Sequence, residues 1–257
     1  MIKCCDRALS HIGCAIRQAA AAASVLAALT IPGFAASLQV SPVNVEVLAP
    51  GATTTITLRN AGSEPLNAQI RVFRWMTPGG EEKLEPTEDV VASPPSATLA
   101  PGTDYTIRLV RVTKRPVAAG EAYRLLVDEL PPSTVTGQRG VVTLVMRYSI
   151  PAFFYAGQTA AAKLTWSLEE HGGQSYLSVT NDGDRHMRLS ALKLRDGSAT
   201  AASFGDGLVG YVLGHSTARW RVPEHIAPRL GLDRPLTVTG QGDSGPINAA
   251  LSTQSPR

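Results

Sequence analysis

Cysteine is absent after residue 14. The three in this 257-residue chain, Cys4, Cys5 and Cys14, all lie in its N-terminal segment, so the remainder has no disulfide framework, no thiol chemistry and no cysteine-ligated metal. Charged residues make up only 18% and aromatics 5%, and no basic stripe suggests a nucleic-acid footprint. Long apolar runs are missing too. Ala19 to Ile31 is about a dozen residues, and nothing later approaches the roughly 18 to 20 that a membrane helix requires. No long helix-period pattern, no glycine-rich phosphate loop opening a helix and no Asn-x-Ser/Thr site occurs.

Residues 1–36 have the arrangement of a secretory signal peptide. Lys3, Arg7 and Arg17 precede the apolar run, and Pro32-Gly33-Phe34-Ala35-Ala36 ends it with small residues suited to cleavage. The competing reading is an uncleaved N-terminal anchor. Cleavage would remove three basic residues and Asp6, leaving 21 basic against 20 acidic residues, so the formal charge would fall from +3 to +1. The remaining chain of roughly 220 residues is long enough to bury a core without disulfides.

That remainder reads as all-β. Runs rich in Val, Thr, Ile and Leu recur between Gly, Pro, Asn and Asp clusters, at Leu38 to Val47, Thr53 to Arg59, Ala68 to Trp75, Tyr105 to Val112, Tyr123 to Leu130 and Val141 to Ile150. A second series follows at Lys163 to Leu168, Tyr176 to Thr180, Met187 to Leu194, Val209 to Leu213, Ala218 to Val222 and Leu236 to Thr239. An internal echo links the two halves: Ile56-Thr57-Leu58-Arg59-Asn60-Ala61-Gly62 resembles Leu177-Ser178-Val179-Thr180-Asn181-Asp182-Gly183. Each strand runs into an Asn-x-Gly turn whose residues suit positive φ. The pattern predicts two immunoglobulin-like β-sandwich domains, 37–156 and 157–251, with a tail at 252–257 and a junction near Tyr155 to Thr159.

Residues 140 to 156 carry the strongest functional signal. At strand period Val142, Leu144, Met146, Tyr148 and Ile150 share one face, and Val141, Thr143, Val145, Arg147 and Ser149 the other. A strand apolar on both faces is either central in its own sheet or reserves one face for a partner.

The order of motifs resembles that of the PapD-like periplasmic pilus chaperones. The likeness rests on Arg74-Trp75, Leu84-Glu85-Pro86-Thr87-Glu88-Asp89-Val90, Ser93-Pro94-Pro95, Leu99-Ala100-Pro101-Gly102, Ile107-Arg108, Tyr123-Arg124-Leu125 and Asp128-Glu129-Leu130-Pro131-Pro132. It continues through Val179-Thr180-Asn181-Asp182-Gly183 and Gly210-Tyr211-Val212-Leu213-Gly214-His215-Ser216-Thr217-Ala218-Arg219-Trp220. The details look closest to the archaic, Csu-like branch. The resemblance implies two domains set as an L or boomerang around a cleft, a periplasmic location and no catalysis. It implies binding of pilus subunits, which are immunoglobulin-like folds lacking their last strand, by lending them a strand. An outer-membrane usher would receive the complex.

On this reading the lent strand is Val142 to Ile150, with Val142, Leu144 and Met146 as primary donors and Tyr148 and Ile150 continuing their face. The connector before it, from Pro131 to Arg139, is turn-rich and too short for an extended arm. Family members resemble one another in a basic pair that binds the subunit's C-terminal carboxylate, an Arg on the first strand and a Lys near the end of the donor strand. Here the first strand reads Ser41-Pro42-Val43-Asn44-Val45-Glu46, and Pro151 stands where the Lys is expected. Arg147 is then the leading anchor candidate, followed by Arg124 and Arg108.

No enzyme reading competes. His171, His186, His215 and His225 lack paired metal-ligand spacing, and no activated serine or carboxylate cluster accompanies them. Asp128 and Glu129 are adjacent acids, but on a strand they point to opposite faces and would not act on one substrate. His215 reads as exposed loop chemistry, and Trp220 and Tyr211 as core rather than usher-facing, since large aromatics usually pack. No cofactor or metal is implied. The alternative function is an exported structural or adhesive pilus component, for which an N-terminal donor extension and a single incomplete domain are expected.

Overall fold

The structure, a computed structural model, describes residues 38–131, 144–197, 199–226, 230 and 235–253. The predicted signal peptide, the connector after Pro131, and Val142 lie outside the described residues. Leu38–Arg257 forms one compact unit, built from two β-sandwiches. The first contains β1 (Leu38–Ser41), β2 (Val45–Leu48), β3 (Thr53–Asn60), β4 (Leu66–Met76), β5 (Lys83–Pro86), β6 (Val90–Ser93), β7 (Ser96–Leu99), β8 (Asp104–Arg111), β9 (Gly120–Leu130) and β10 (Arg147–Tyr155). One sheet runs β1-β3-β8-β6; the facing sheet runs β2-β10-β9-β4-β5, with β7 also paired to β4.

Period-two alternation explains why these segments face each other. Leu38, Val40, Ile56, Leu58, Ile107 and Leu109 from the first sheet pack against Ile70, Tyr123, Leu125, Val127, Ile150, Ala152 and Phe154 from the second, all buried. The expected single strand at Leu38 to Val47 is in fact two strands in opposite sheets. Leu38–Ser41 pairs antiparallel with β3, and Val45–Leu48 pairs parallel with β10. The chain changes sheets across Pro42, a residue with no N–H to offer a ladder.

The second sandwich contains β11 (Leu164–His171), β12 (Gln174–Asn181), β13 (Met187–Asp196), β14 (Ala199–Ser203), β15 (Leu208–Val212), β16 (Ser216–Arg221), β17 (Leu236–Gly242), β18 (Gly245–Ala250) and β19 (Ser252–Thr253). Its sheets run β16-β12-β11-β19 and β14-β13-β17-β18, with β15 paired to β13. Trp166, Leu177, Val179 and Ala218 from one sheet meet Met187, Leu189, Leu192, Val212 and Val238 from the other. Trp220 is partly buried against this core and donates its indole N–H to the Val209 carbonyl at 3.3 Å.

The internal echo is structural, for a different reason than expected. Neither Asn60, Asn181, Gly62 nor Gly183 is among the positive-φ residues. The asparagines act through their side chains. Both are fully buried, and each amide spans two carbonyls: Asn60 donates to Glu64 O (2.7 Å) and Leu99 O (3.1 Å), Asn181 to Arg185 O (2.8 Å) and Leu213 O (3.1 Å). Each Oδ1 accepts the N–H of the glycine two residues on, and Asn181 Oδ1 also accepts from Lys163 N–H. Gly183 is required by space, because a Cβ there would lie 2.0 Å from the Ala161 carbonyl oxygen.

Replacing Asn181 by Asp turns a donor pair into oxygens facing two buried carbonyls. The expected loss of stability is on the order of 3 kcal/mol, against less than about 0.5 for the same change at exposed Asn67. Urea unfolding midpoints of the two variants measure the difference, and equal midpoints would show that the buried amide does not hold the loops.

Candidate functional site

The alternation that sends Ile150, Ala152 and Phe154 into the first core sends Arg147, Ser149, Pro151, Phe153 and Tyr155 to the opposite face of β10. Over Pro151 to Tyr155 that face is buried too, because the second sandwich covers it. Trp75, Phe153, Tyr155 and Leu213 form a small core of their own, with Tyr211, Leu84 and Ala122 against it. His186 lies flat on Phe153, with ring centroids 3.7 Å apart and planes 7° apart. Its Nδ1 is 2.5 Å from the Tyr155 hydroxyl, which also accepts the His186 backbone N–H at 3.2 Å.

Burial holds His186 below its ordinary pKa and pushes the Tyr155 phenol up to about 12. Both are therefore neutral, and the hydroxyl donates to Nδ1. Arg185 stacks over the Tyr155 ring at 4.6 Å and pairs with Glu46 of β2. Nearby, His215 Nε2 lies 2.7 Å from Asp184 Oδ1, and Ala160 N–H donates to the other Asp184 oxygen at 2.6 Å. These bonds hold the Asp184 carboxyl below its usual range. His215 thus anchors a turn of the second sandwich, a role its loop position in the sequence did not reveal.

Arg124 of β9 reaches this junction from the first sandwich. Its guanidinium sits 3.7 Å over the Trp75 ring and 5.2 Å from that of Tyr211. Tyr211 is therefore a junction residue, not one buried in its own sandwich's core. Glu82 Oε1 is 3.3 Å from Arg124 Nε, an ion-pair distance, but the Nε–H has no aligned hydrogen-bond acceptor. Burial lowers the Arg124 pKa, although a guanidinium stays charged.

Further along the same face the character changes. Arg147 and Arg71 both bond Asp128, Arg71 at 2.7 Å. Burial alone would raise the Asp128 carboxyl, but the two guanidinium hydrogen bonds hold it below its usual range. Beyond Arg147 the apolar side chains are uncovered: Leu144 is 87% exposed, Val145 47% and Met146 37%. Strand β10 pairs with β9 along its whole length, whereas β2 pairs with it only from Ala152 to Tyr155. The edge of Arg147–Pro151 opposite β9 carries no strand among the described residues. Pro151 is tolerated there, where the ladder is one-sided.

The five expected donors thus fall into distinct environments. Leu144 and Met146 are exposed. Tyr148 packs against the first core and donates its hydroxyl to Leu38 O at 2.6 Å, and Ile150 is buried in that core. The strand itself begins at Arg147 and runs to Tyr155, five residues past its expected end. The three candidate anchors are not brought together. Arg124 lies in the junction, Arg147 is tied to Asp128, and Arg108 is exposed on the other sheet, between Thr55 and Ser93. His186, Tyr155 and the Asp128 pairing were missed. The run Phe153-Phe154-Tyr155 held a signal for the first two, since three consecutive aromatics on a strand require cover on both faces.

Residues 37–156 match the family of pili and flagellar-assembly chaperones, PapD N-terminal domain. The first sandwich is a PapD-type N-terminal domain. Solved structures resemble it over most of its length. A structure of the CsuC–CsuE chaperone–tip adhesion subunit pre-assembly complex, from the archaic chaperone-usher Csu pili of Acinetobacter baumannii, is 26% identical, with a TM-score of 0.66 over 86% of this chain and 100% of the matched one. The YadV chaperone (20% identity, TM-score 0.57) covers 84% of this chain and 100% of its own. A complex of the Salmonella enterica SafA pilin with the SafB chaperone matches at 16% and 0.57, covering 84% of this chain and 97% of the matched one. These last two share the fold. No curated protein matches the chain by sequence. Among the described residues, no helix is long and apolar enough to cross a membrane, and no three His, Cys, Asp or Glu side chains are grouped to hold a metal.

The neutral His186 predicts a pH dependence. Its folded pKa is depressed, so below the unfolded value near 6.5 the unfolded chain takes up a proton that the folded chain refuses. Stability from this residue is fully present above that pH and is lost as pH falls toward the folded pKa. In a His186→Phe variant, which keeps the stack on Phe153 but cannot titrate, the melting temperature should fall less than in the parent between pH about 7.5 and about 5. Parallel pH curves would contradict a buried neutral imidazole.

Proposed function

We propose that this chain is a non-enzymatic periplasmic chaperone that holds pilus subunits by lending them the strand segment entering β10, and passes them to an outer-membrane usher. One observation carries the proposal: the exposed apolar residues Leu144, Val145 and Met146 lead directly into the one-sided edge of Arg147–Pro151. An immunoglobulin-like subunit lacking its last strand offers the complement, with main-chain groups for the edge and an apolar groove for alternate side chains. Each buried donor contributes roughly 1.5–3 kcal/mol before ordering costs. The donors are then Leu144 and Met146, together with Val142. Tyr148 and Ile150 support the strand from inside the chaperone's own core. The PapD N-terminal-domain match over 37–156 and the chaperone–subunit complexes among the similar structures support this reading, and export through a signal peptide at 1–36 accords with it.

For the subunit's C-terminal carboxylate, the favoured anchor is Arg124. It lies between the sandwiches with an Nε–H lacking an aligned acceptor, whereas Arg147 is engaged by Asp128 and Arg108 belongs to the other sheet. Co-expression with a pilus subunit, followed by pull-down and a melting curve of the free chaperone, tests the assignment. Leu144→Glu and Met146→Glu should abolish capture with little change in melting, because an unpaired carboxylate enters an apolar groove. Arg124→Gln should weaken capture by about 2 kcal/mol or more, and Arg108→Gln should leave it unchanged. A Leu144→Glu chaperone that captures normally would end the strand-lending reading.

A further inference from the structure

The lent segment has a root, and two acidic side chains grip it. Cross-strand register places Arg147 opposite Asp128 and so Met146 opposite Glu129. Glu129 N–H donates to Met146 O at 2.9 Å, and Met146 N–H donates back to the Glu129 side-chain Oε2 at 3.3 Å. On the other face of β9, Asp128 accepts from Arg147 Nε and from Arg71 Nη2. The last residues before the exposed stretch are thus held by two carboxylates from opposite faces of one strand.

The arrangement does more than add stability. Asp128 is itself buried, but its partners Arg147 and Arg71 are 64% and 41% exposed in their side chains, so solvent screens these pairs and leaves them a modest share of stability. What the contacts do is fix a direction. Beyond Met146 no further bond to β9 is seen among the described residues, and Leu144 has little protein around it to set its orientation. A strand that enters a groove one residue out of register presents the wrong face to every pocket.

We propose that Asp128 and Glu129 are positioning residues for capture: they clamp the root of the Leu144–Arg147 segment so that its register and face are set before a subunit arrives. This rests on the strand-lending function. Pre-organisation raises affinity by sparing the bound state an ordering cost, so loosening the root slows association without unfolding the chaperone.

The experiment uses the full mature chain and a pilus subunit whose own N-terminal extension is deleted. Association rates and melting temperatures are measured for Asp128→Asn, Glu129→Gln, the double variant and Asp128→Glu. The double variant should melt somewhat lower but stay fully folded at the assay temperature, and there associate about tenfold more slowly, with faster amide exchange at residues 144–146. Asp128→Glu, which keeps the carboxylate, should recover most of the Asp128→Asn loss. Parental association by the double variant overturns the clamp, as does a loss that follows the unfolded fraction alone. A parent chain that captures no subunit would instead contradict the strand-lending function, so the two failures are distinguishable.

Discussion

Among the described residues, strand β10 has a partner on both sides only from Ala152 to Tyr155, and the rest of the molecule is arranged around that inequality. Where it is paired twice, both of its faces are buried, Phe154 in the first sandwich and Phe153 with Tyr155 under the second. Where it is paired once, it keeps one face in its own core through Tyr148 and Ile150 and leaves an edge open. Open edges invite association, which proteins otherwise suppress with charge, proline or cover. Here Arg147 and Pro151 bracket the open stretch, and the uncovered apolar residues immediately precede it.

The junction between the sandwiches gives this edge a rigid base. Its aromatic cluster is closed by neutral groups, His186 and Tyr155, and by a guanidinium, Arg124, laid on Trp75. Close approach is also required there. A Cβ on Gly120 would meet the Tyr155 ring at 2.9 Å, and one on Gly214 would meet the Asp184 carbonyl oxygen at 2.1 Å. Gly120 thus lets the second sandwich's Asp184 carbonyl approach within 3.0 Å of where a Cβ would stand, and Gly214 lets its own sandwich's turn close on Asp184.

Much of this was legible in the sequence, and the gaps have physical causes. Alternating Val, Ile and Leu marked the long strands well, since burying one face of a strand imposes period two. Short strands such as Lys83–Pro86 and Ser96–Leu99 passed unnoticed, because four residues with few apolar positions carry no readable period. Pro151 made β10 look finished at Ile150, although one-sided pairing accommodates it. The Asn-x-Gly echo was visible as a turn, but its buried side-chain role depends on carbonyls more than 30 positions away, those of Leu99 and Leu213. Long-range charge pairing was illegible for the same reason. Nothing local ties Arg71 to Asp128, and so Arg147 read as a free cation when it is a committed one.

The central claim is that the open edge and its apolar approach are what a subunit covers. Amide hydrogen exchange of residues 144–150 and 152–155, in the free chain and bound to a pilus subunit without its N-terminal extension, tests this directly. The account predicts strong protection on binding at the one-sided stretch from Leu144 to Ile150, with little change in the already paired Ala152–Tyr155. A stable complex that leaves residues 144–150 exchanging as in the free chain would contradict it.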